Sequence, residues 1–298
     1  MRHPANELGD TRSGLFFALA AYGIWGIAPI YFVWVSFAQP LEVVAHRVVW
    51  GIPLLGLLLL ASGQWRSIKS LAPSAFGYLL VSALCLSINW LTFIYAVQTE
   101  RIAEASLGYF INPLVSIVLG WLFLREQLRP LQWLAVALAL VGVCSELWVR
   151  TNLPWLGLTL ALSFGLYGLL RKQVNVGAVV GLSIETAVVA PFAIGFLFWL
   201  SLQGDARDLG AVLSLGLGGL ITVVPLICFA AAAMRLPLTT LGFVQYLSPS
   251  CALMLAIFVY GEVVPAGRWV TFALIWGALI LFSFEGFYRY RKQRQRPE

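Results

Sequence analysis

Long apolar runs alternate with short polar connections along almost the whole chain. A transmembrane α-helix needs about 17–25 mainly apolar residues, and ten runs reach that length. They cover residues 13–34, 41–61, 74–97, 102–124, 131–148, 153–170, 179–201, 209–233, 236–260 and 266–288. Because the connections are too short to contain a soluble domain, the pattern predicts an all-α integral membrane protein with ten transmembrane helices.

The composition supports a membrane protein over a soluble one. Of the 298 residues, 60% are apolar and 11% are charged, whereas soluble domains carry roughly 25% charged residues. The net charge of +6 does not indicate nucleic acid, because the charges lie between spans or in the last segment, 289–298. A basic segment beside a span typically faces anionic headgroups. Membrane lipid is therefore an expected partner, and nucleic acid is not.

The lysine and arginine residues predict the orientation, because cytoplasmic loops are enriched in them. With the N-terminus inside, fourteen of the 19 fall in cytoplasmic segments and Arg47 falls within a span. The remaining four, in outer connections and outer span ends, are Arg101, Arg150, Arg207 and Arg268. This bias predicts a multi-pass protein with both termini in the cytoplasm.

The two halves of the chain resemble each other. Residues 22–26 (Tyr-Gly-Ile-Trp-Gly) match residues 164–168 (Phe-Gly-Leu-Tyr-Gly), and Pro113 and Pro249 each lie thirteen residues before a glutamate. Each half contains five spans, an odd number, so the second half enters the membrane from the opposite side.

We therefore expect two inverted five-helix repeats, residues 13–148 and 153–288, followed by a basic cytoplasmic tail at 289–298. Inverted repeats are typical of secondary transporters, in which two equivalent halves exchange outward-open and inward-open shapes around a site near the midplane. An old duplication without mechanistic meaning is the alternative.

Polar and aromatic side chains within the spans are the candidate substrate site, because polar groups in lipid are costly. Aromatic walls with a few amides suit an amphipathic organic solute better than a bare ion. The alternative is helix packing, with amides hydrogen-bonded between spans. The candidate binding residues are Tyr22, Trp25, Asn89, Trp90, Tyr109, Asn112, Tyr167, Gln245 and Tyr246.

Three ionisable residues within spans are candidates for a substrate anchor or a proton site. They are His46 and Arg47 in the second span and Glu185 in the seventh. Because they lie one to two turns from span ends, snorkelling to the interface or a structural ion pair is the alternative.

Pro113 and Pro249 are candidate hinges. A proline within a helix removes one hydrogen bond and crowds an earlier carbonyl, which bends the helix. Two prolines at matching positions of inverted halves predict bends that open opposite gates, although proline is also common in membrane helices without such a role.

Enzyme signatures are missing from the sequence. There is no phosphate-binding loop of the Gly-x-x-x-x-Gly-Lys type, and two histidines cannot make a His-rich metal site. We therefore expect no cofactor, no metal and no catalytic residue, with transport either downhill or coupled to a proton or other ion gradient. The alternative functions are a membrane-embedded sensor or enzyme, and a channel.

Four segments resemble the RarD family of EamA-type transporters, within the drug/metabolite transporter superfamily. The similarity covers about residues 14–287. It is carried by residues 45–47 (Ala-His-Arg), 89–90 (Asn-Trp), 104–114 (Glu-Ala-Ser-Leu-Gly-Tyr-Phe-Ile-Asn-Pro-Leu) and 235–243 (Arg-Leu-Pro-Leu-Thr-Thr-Leu-Gly-Phe).

The resemblance implies ten helices in two inverted fives around a central cavity. It also implies movement of small metabolites or drugs across the bacterial inner membrane. We expect export, with amino-acid-like, aromatic or chloramphenicol-related solutes as candidates. One departure concerns a Gly-Glu pair that the superfamily often has after the fourth and ninth spans. Gly261-Glu262 fits this pattern, but Arg125-Glu126 replaces the first glycine.

The predicted orientation can be tested with an alkaline phosphatase fusion, which is active only outside the cytoplasm. A fusion at the C-terminus should be inactive, and a matched fusion in the connection 35–39 should be active. Robust activity of the C-terminal fusion would overturn the orientation.

Overall fold

The computed structural model describes residues 4–99, 101–148, 154–174, 176–204, 207–261 and 263–294. Their regular secondary structure is helical. The helices are α1 (Pro4–Trp34), α2 (Pro40–Ala61), α3 (Trp65–Lys69), α4 (Pro73–Gln98), α5 (Ile102–Phe123), α6 (Pro130–Trp148), α7 (Trp155–Gln173), α8 (Ala178–Leu202), α9 (Leu209–Arg235), α10 (Leu238–Gln245), α11 (Leu247–Phe258) and α12 (Ala266–Arg294).

Within the described residues, nine segments are long and apolar enough to cross a membrane. They are α1, α2, α4, α5, α6, α8, α9, the α10–α11 segment Leu238–Phe258, and α12. The remaining predicted span, the sixth in chain order (153–170), corresponds to α7, and its first residue lies outside the described residues. Arg171, Lys172 and Gln173 at the end of α7 lower the apolar content of this 19-residue helix.

Several helix boundaries follow from local sequence chemistry. α2 and α4 begin with Pro40 and Pro73, where a missing N–H costs nothing because the first amides of a helix have no helical partner. Asp208 caps α9, because its Oδ1 accepts a hydrogen bond from the backbone N–H of Ala211 at 2.6 Å. Gly261, after α11, takes a positive φ of 65°, the left-handed conformation that commonly ends a helix.

The ninth predicted span, 236–260, is divided into two helices. α10 ends at Gln245 and α11 begins at Leu247, with Tyr246 between them. Pro249 lies in the first turn of α11, where a helix tolerates proline, whereas Pro113 lies inside the continuous helix α5. The two prolines therefore occupy different local structures.

Most helices pack mainly against helices from the other half of the chain. α1 contacts α9 and α11, α2 contacts α8 and α9, and α4 contacts α7. α5 contacts α7 and α10, while α6 and α12 form a pair. The core is thus built between the two halves rather than within each of them.

Two ion pairs connect α6 and α12. Arg129 Nη1 lies 2.6 Å from Glu285 Oε1, and Arg268 Nε lies 3.8 Å from Glu146 Oε1. In each half the arginine precedes the glutamate by seventeen residues. The pairs therefore cross over between the helices and connect opposite ends of this helix pair.

Arg125 is the residue whose backbone is strained. It has a φ of 53° and is the non-glycine residue with positive φ in the described part of the chain. For a residue with a side chain this conformation costs about 1–2 kcal/mol. Arg125 therefore adopts after α5 the backbone that Gly261 adopts after α11, so the departure from the Gly-Glu pattern changes the residue and keeps the local structure. Glu262 lies outside the described residues.

Replacing Arg125 by glycine should stabilise the protein. Relief of the left-handed strain exceeds the added chain entropy of glycine, so Arg125→Gly should raise the free energy of unfolding by up to about 1 kcal/mol. The matched Gly261→Ala variant should lower it by about 1 kcal/mol. Unfolding of the purified protein in detergent would measure both, and destabilisation by Arg125→Gly would contradict the assignment of strain.

Candidate functional site

A small cavity of about 20 Å³ lies between α2, α4, α8 and α9. Its walls are mostly apolar, with Arg47, Trp90, Glu185, Thr186 and Thr222 as the polar or amphipathic side chains. A space of this size holds about one water molecule. The structure is therefore in a conformation in which this site is nearly closed.

Arg47 projects from α2 into the interior of the helix bundle. Its Nε donates a hydrogen bond to Thr222 Oγ1 at 2.6 Å. The guanidinium carbon lies 5.4 Å from the ring centroid of Phe32 and 5.4 Å from that of Trp90, within the range of a cation–π interaction. Arg47 thus contacts α1, α4 and α9 at once, which does not support snorkelling to the interface.

Gly218 allows α9 to approach Arg47 this closely. A Cβ at position 218 would lie 2.7 Å from Arg47 Cγ and 2.5 Å from the Tyr31 hydroxyl oxygen. That hydroxyl donates to the carbonyl of Leu215 at 3.2 Å. The side chain of Tyr109 keeps 47% of its surface exposed and does not line this cavity.

Glu185 belongs to a buried polar network. One carboxylate oxygen accepts a hydrogen bond from the Ser82 hydroxyl, and the other accepts one from the Tyr167 hydroxyl at 3.3 Å. Arg171 Nη1 lies 3.7 Å from the carboxylate, and Arg171 Nη2 donates to the carbonyl of Ala178 at 3.4 Å. The side chains of Arg171 and Glu185 are 0% and 1% exposed, so the ion pair is sealed inside the protein.

Sequence reasoning missed the role of Arg171. Because Arg171 and Lys172 follow the predicted span 153–170, the sequence predicts cytoplasmic positions for both. The structure instead turns Arg171 inward, and a Cβ at Gly181 would lie 1.8 Å from its Nη1. Because glycine has no side chain, position 181 leaves room for the guanidinium of Arg171 to reach Glu185.

The aromatic residues predicted from the two halves form one cluster. Trp25 lies 5.6 Å from Tyr22 and 5.5 Å from Phe164, between ring centroids. Phe164 lies 5.7 Å from Tyr167, and Phe229 contacts all four rings at 5.1–6.2 Å. Phe229 has no counterpart in the repeat pattern and stands alone in an apolar run, so no sequence signal distinguished it.

The predicted amides Asn89, Asn112 and Gln245 do not line the cavity, although Trp90, which follows Asn89, does. Asn89 Nδ2 donates to the carbonyl of Leu160 at 2.9 Å and to Ser163 Oγ at 3.1 Å, which joins α4 to α7 and favours the packing role. Asn112 is buried, and its Oδ1 has no hydrogen-bond partner among the described residues.

Gln245 and Tyr246 lie at the junction of α10 and α11. Both are buried, and the Tyr246 hydroxyl donates to the carbonyl of Phe110 at 3.2 Å. Tyr246 therefore connects the helix junction to α5, and neither residue lines the cavity around Arg47.

His46 lies beside a different ion pair. One turn earlier, the carboxylate of Glu42 accepts hydrogen bonds from Arg207 Nε and Nη2 at 2.9 and 2.8 Å. His46 Nδ1 is buried without a hydrogen-bond partner among the described residues, and His46 does not line the cavity. Of the three predicted ionisable residues, the structure places Arg47 and Glu185 together and His46 elsewhere.

Comparison with known proteins decides the family. Residues 12–145 match the EamA-like transporter family. Protein RarD of Escherichia coli K12 is 46% identical over 289 residues, which cover 95% of this chain and 98% of that protein. The chain belongs to the RarD family of the drug/metabolite transporter superfamily.

Other relatives agree with this RarD assignment. A protein of Vibrio cholerae described as an uncharacterized transporter is 45% identical over 284 residues, 93% of this chain and 94% of that protein. A crystal structure aligns with a TM-score of 0.72 and 17% identity over 91% of this chain and 97% of its own, which shows a shared fold. The family and the apolar helices together identify a multi-pass transporter of the bacterial inner membrane.

Substitution at Gly181 should disturb the buried network. Gly181→Ala places a Cβ against Arg171, so it should lower the free energy of unfolding by about 1–3 kcal/mol. The control Gly195→Ala lies on the same helix with nothing near its new Cβ, so it should leave the free energy of unfolding unchanged or raise it by up to about 1 kcal/mol. Equal stability of the two variants in detergent would contradict the packing described for Arg171.

Proposed function

We propose that the protein is a secondary transporter that moves small amphipathic organic solutes across the inner membrane by alternating access. The observation that carries the proposal is that Arg47 and Glu185 line one cavity. Each lies seven residues after the first residue of its helix, Pro40 in α2 or Ala178 in α8. They therefore hold equivalent positions in the two proposed repeats, as expected of a site between inverted halves.

The packing pattern supports two inverted repeats, residues 13–148 and 153–288. Each major helix contact has a counterpart when the helices of the two halves are paired in chain order. The pairs are α1 with α7, α2 with α8, α4 with α9, α5 with the α10–α11 segment, and α6 with α12. The contact of α1 with α9 corresponds to that of α7 with α4, and the contact of α1 with α11 corresponds to that of α7 with α5. The crossed ion pairs of α6 and α12 obey the same exchange.

The orientation, with both termini in the cytoplasm, follows from the charge bias. The proposed tail 289–298 begins within α12, which continues to Arg294, while residues 295–298 lie outside the described residues. In this orientation the end of α7, the end of α9 and the start of α10 meet at the cytoplasmic side.

Two side chains fasten these helix ends together. Glu126 accepts hydrogen bonds from the backbone N–H groups of Leu238 and Thr239 at 2.6 and 2.8 Å, which caps α10. Lys172 Nζ donates to the carbonyl of Ala233 at 3.2 Å and to that of Leu236. Access from the cytoplasm requires these bonds to break, so we assign this conformation to a state closed on that side.

The aromatic cluster and the helix junction complete the proposed cycle. Trp25, Tyr167 and Phe229 belong to the same apolar cluster as Leu182 and Val223, which line the cavity. In the proposed cycle they form an apolar wall for a solute when the cavity opens. The break at Tyr246, next to Pro249, gives the ninth span a bend, and Pro113 is the corresponding candidate hinge in α5.

A proton is the candidate coupling ion, and Glu185 is its candidate site. Its carboxylate faces Arg171, Tyr167 and Ser82, and Arg47 lines the same cavity. Protonation would remove the negative charge that Arg171 balances, so it would weaken the side-chain link that Arg171 and Glu185 form between α7 and α8. Such a change could link proton binding to the exchange between conformations.

Transport by purified protein in proteoliposomes tests the proposal. Uptake of a radiolabelled aromatic solute such as phenylalanine should be saturable, and an outward-directed or inward-directed pH gradient should change its initial rate if a proton is coupled. Trp25→Ala should lower uptake by about tenfold, because it removes a wall of the site. Trp199→Ala, which changes a tryptophan that is 54% exposed, should retain it. Absence of saturable uptake for aromatic and amphipathic solutes alike would reject the proposal.

A further inference from the structure

We propose that Arg47 binds the carboxylate of the transported solute, so that the substrates are amphipathic organic anions or zwitterions. The inference rests on the proposed transport function and specifies its substrate class. It follows from the charge balance, the free hydrogen-bond donors and the ring contacts of Arg47.

The charge of Arg47 has no acidic partner in the described part of the chain. Five other arginines form ion pairs there: Arg101, Arg129, Arg171, Arg207 and Arg268. Arg47 instead donates to a neutral hydroxyl, that of Thr222. Glu185 lines the same cavity, but its carboxylate is already engaged by Ser82, Tyr167 and Arg171.

An unbalanced charge within a span is costly. Arg47 lies seven residues into α2, or about 10 Å at 1.5 Å per residue, and charged side chains at membrane depth normally pair with another group or line a path for a solute. Since no carboxylate of the described protein balances this charge, a bound anion is the partner that the site lacks.

The geometry of Arg47 suits a carboxylate. A guanidinium has five N–H donors in a planar fork that matches two carboxylate oxygens. Its Nε is used by Thr222, whereas Nη1 and Nη2 have no hydrogen-bond partner among the described residues and are not fully buried. Both terminal nitrogens are therefore available to a ligand.

The rings around Arg47 fix its position and indicate the rest of the ligand. Phe32 and Trp90 each lie 5.4 Å from the guanidinium carbon, so the fork is held between them. A ligand with a carboxylate at Arg47 would place an apolar or aromatic body against these rings.

Matched pairs of ligands test the carboxylate directly. One pair is 3-phenylpropionate and its neutral amide, and the other is phenylalanine and phenylalaninamide. Calorimetry measures the binding of each ligand to the purified full chain in detergent. The wild type should bind each carboxylate at least tenfold more tightly than its amide. Arg47→Gln should reduce this ratio to about one, and Arg47→Lys should restore part of it. Arg66→Gln, which removes an exposed positive charge outside the cavity, should leave the ratio unchanged.

The outcomes separate this inference from transport itself. Equal affinity of wild type for carboxylate and amide, no binding of either carboxylate, or an unchanged ratio in Arg47→Gln would each overturn the carboxylate site. Size-exclusion chromatography of Arg47→Gln and the Arg47→Lys variant distinguish a lost contact from misfolding. Saturable proteoliposome uptake of a neutral solute such as chloramphenicol, without any carboxylate preference, would overturn the inference and leave the transporter intact.

Discussion

Polar groups at membrane depth have no water to bind, so the protein itself must satisfy them. This constraint accounts for most of the contacts that hold the helices of this protein together. Glu126 supplies a carboxylate to the exposed amides at the start of α10, and Glu104 supplies one to the N–H of Leu156 in α7 at 3.0 Å. Asn89 joins α4 to α7 in the same way. Because apolar packing alone gives little preference between protein and lipid tails, these polar contacts fix which helices meet.

The same constraint makes the two charged positions of the cavity unequal. The charge of Glu185 is balanced within the protein by Arg171, and its carboxylate accepts hydrogen bonds from two hydroxyl groups. Arg47 has rings and one hydroxyl around it, but no carboxylate among the described residues. The two equivalent positions of the proposed repeats thus carry opposite charges. The charge of Glu185 is paired within the protein, whereas that of Arg47 is left for a ligand in the proposed mechanism. A single cavity can in this way separate a site for coupling from a site for binding.

Much of the fold was predictable because hydrophobic length is a strong signal in membrane proteins. The long apolar runs identified the nine spans that meet the criteria for length and apolar content, and the resemblance identified the family. The direction in which each side chain points could not be predicted from a few neighbouring residues. Arg171 and Lys172 are adjacent and look alike, yet one pairs with Glu185 and the other binds carbonyls at a helix end.

The site was harder to predict for a related reason. Matching aromatics in the two halves suggested a shared cluster, but Phe229 joins it from α9, outside the matching sequence segments. The break at Tyr246 occurs three residues before Pro249, while α5 continues through Pro113. The presence of a proline does not by itself predict whether a helix breaks or continues. The effect depends on the position of the proline within its helix, and therefore on where that helix begins.

The crossed ion pairs of α6 and α12 define the length of helix that lies between the two pairs of charges. Seventeen residues separate Arg129 from Glu146 and Arg268 from Glu285, which is about 25 Å along a helix. This distance is slightly less than the roughly 30 Å of an average hydrocarbon core. With an ion pair at each end, the helix pair favours a thin bilayer, because a thicker one would draw both pairs into hydrocarbon unless the lipid thins around them. The lipid beside α6 and α12 is thereby part of what determines the protein's stability, and bilayer thickness becomes a physical variable of the transporter.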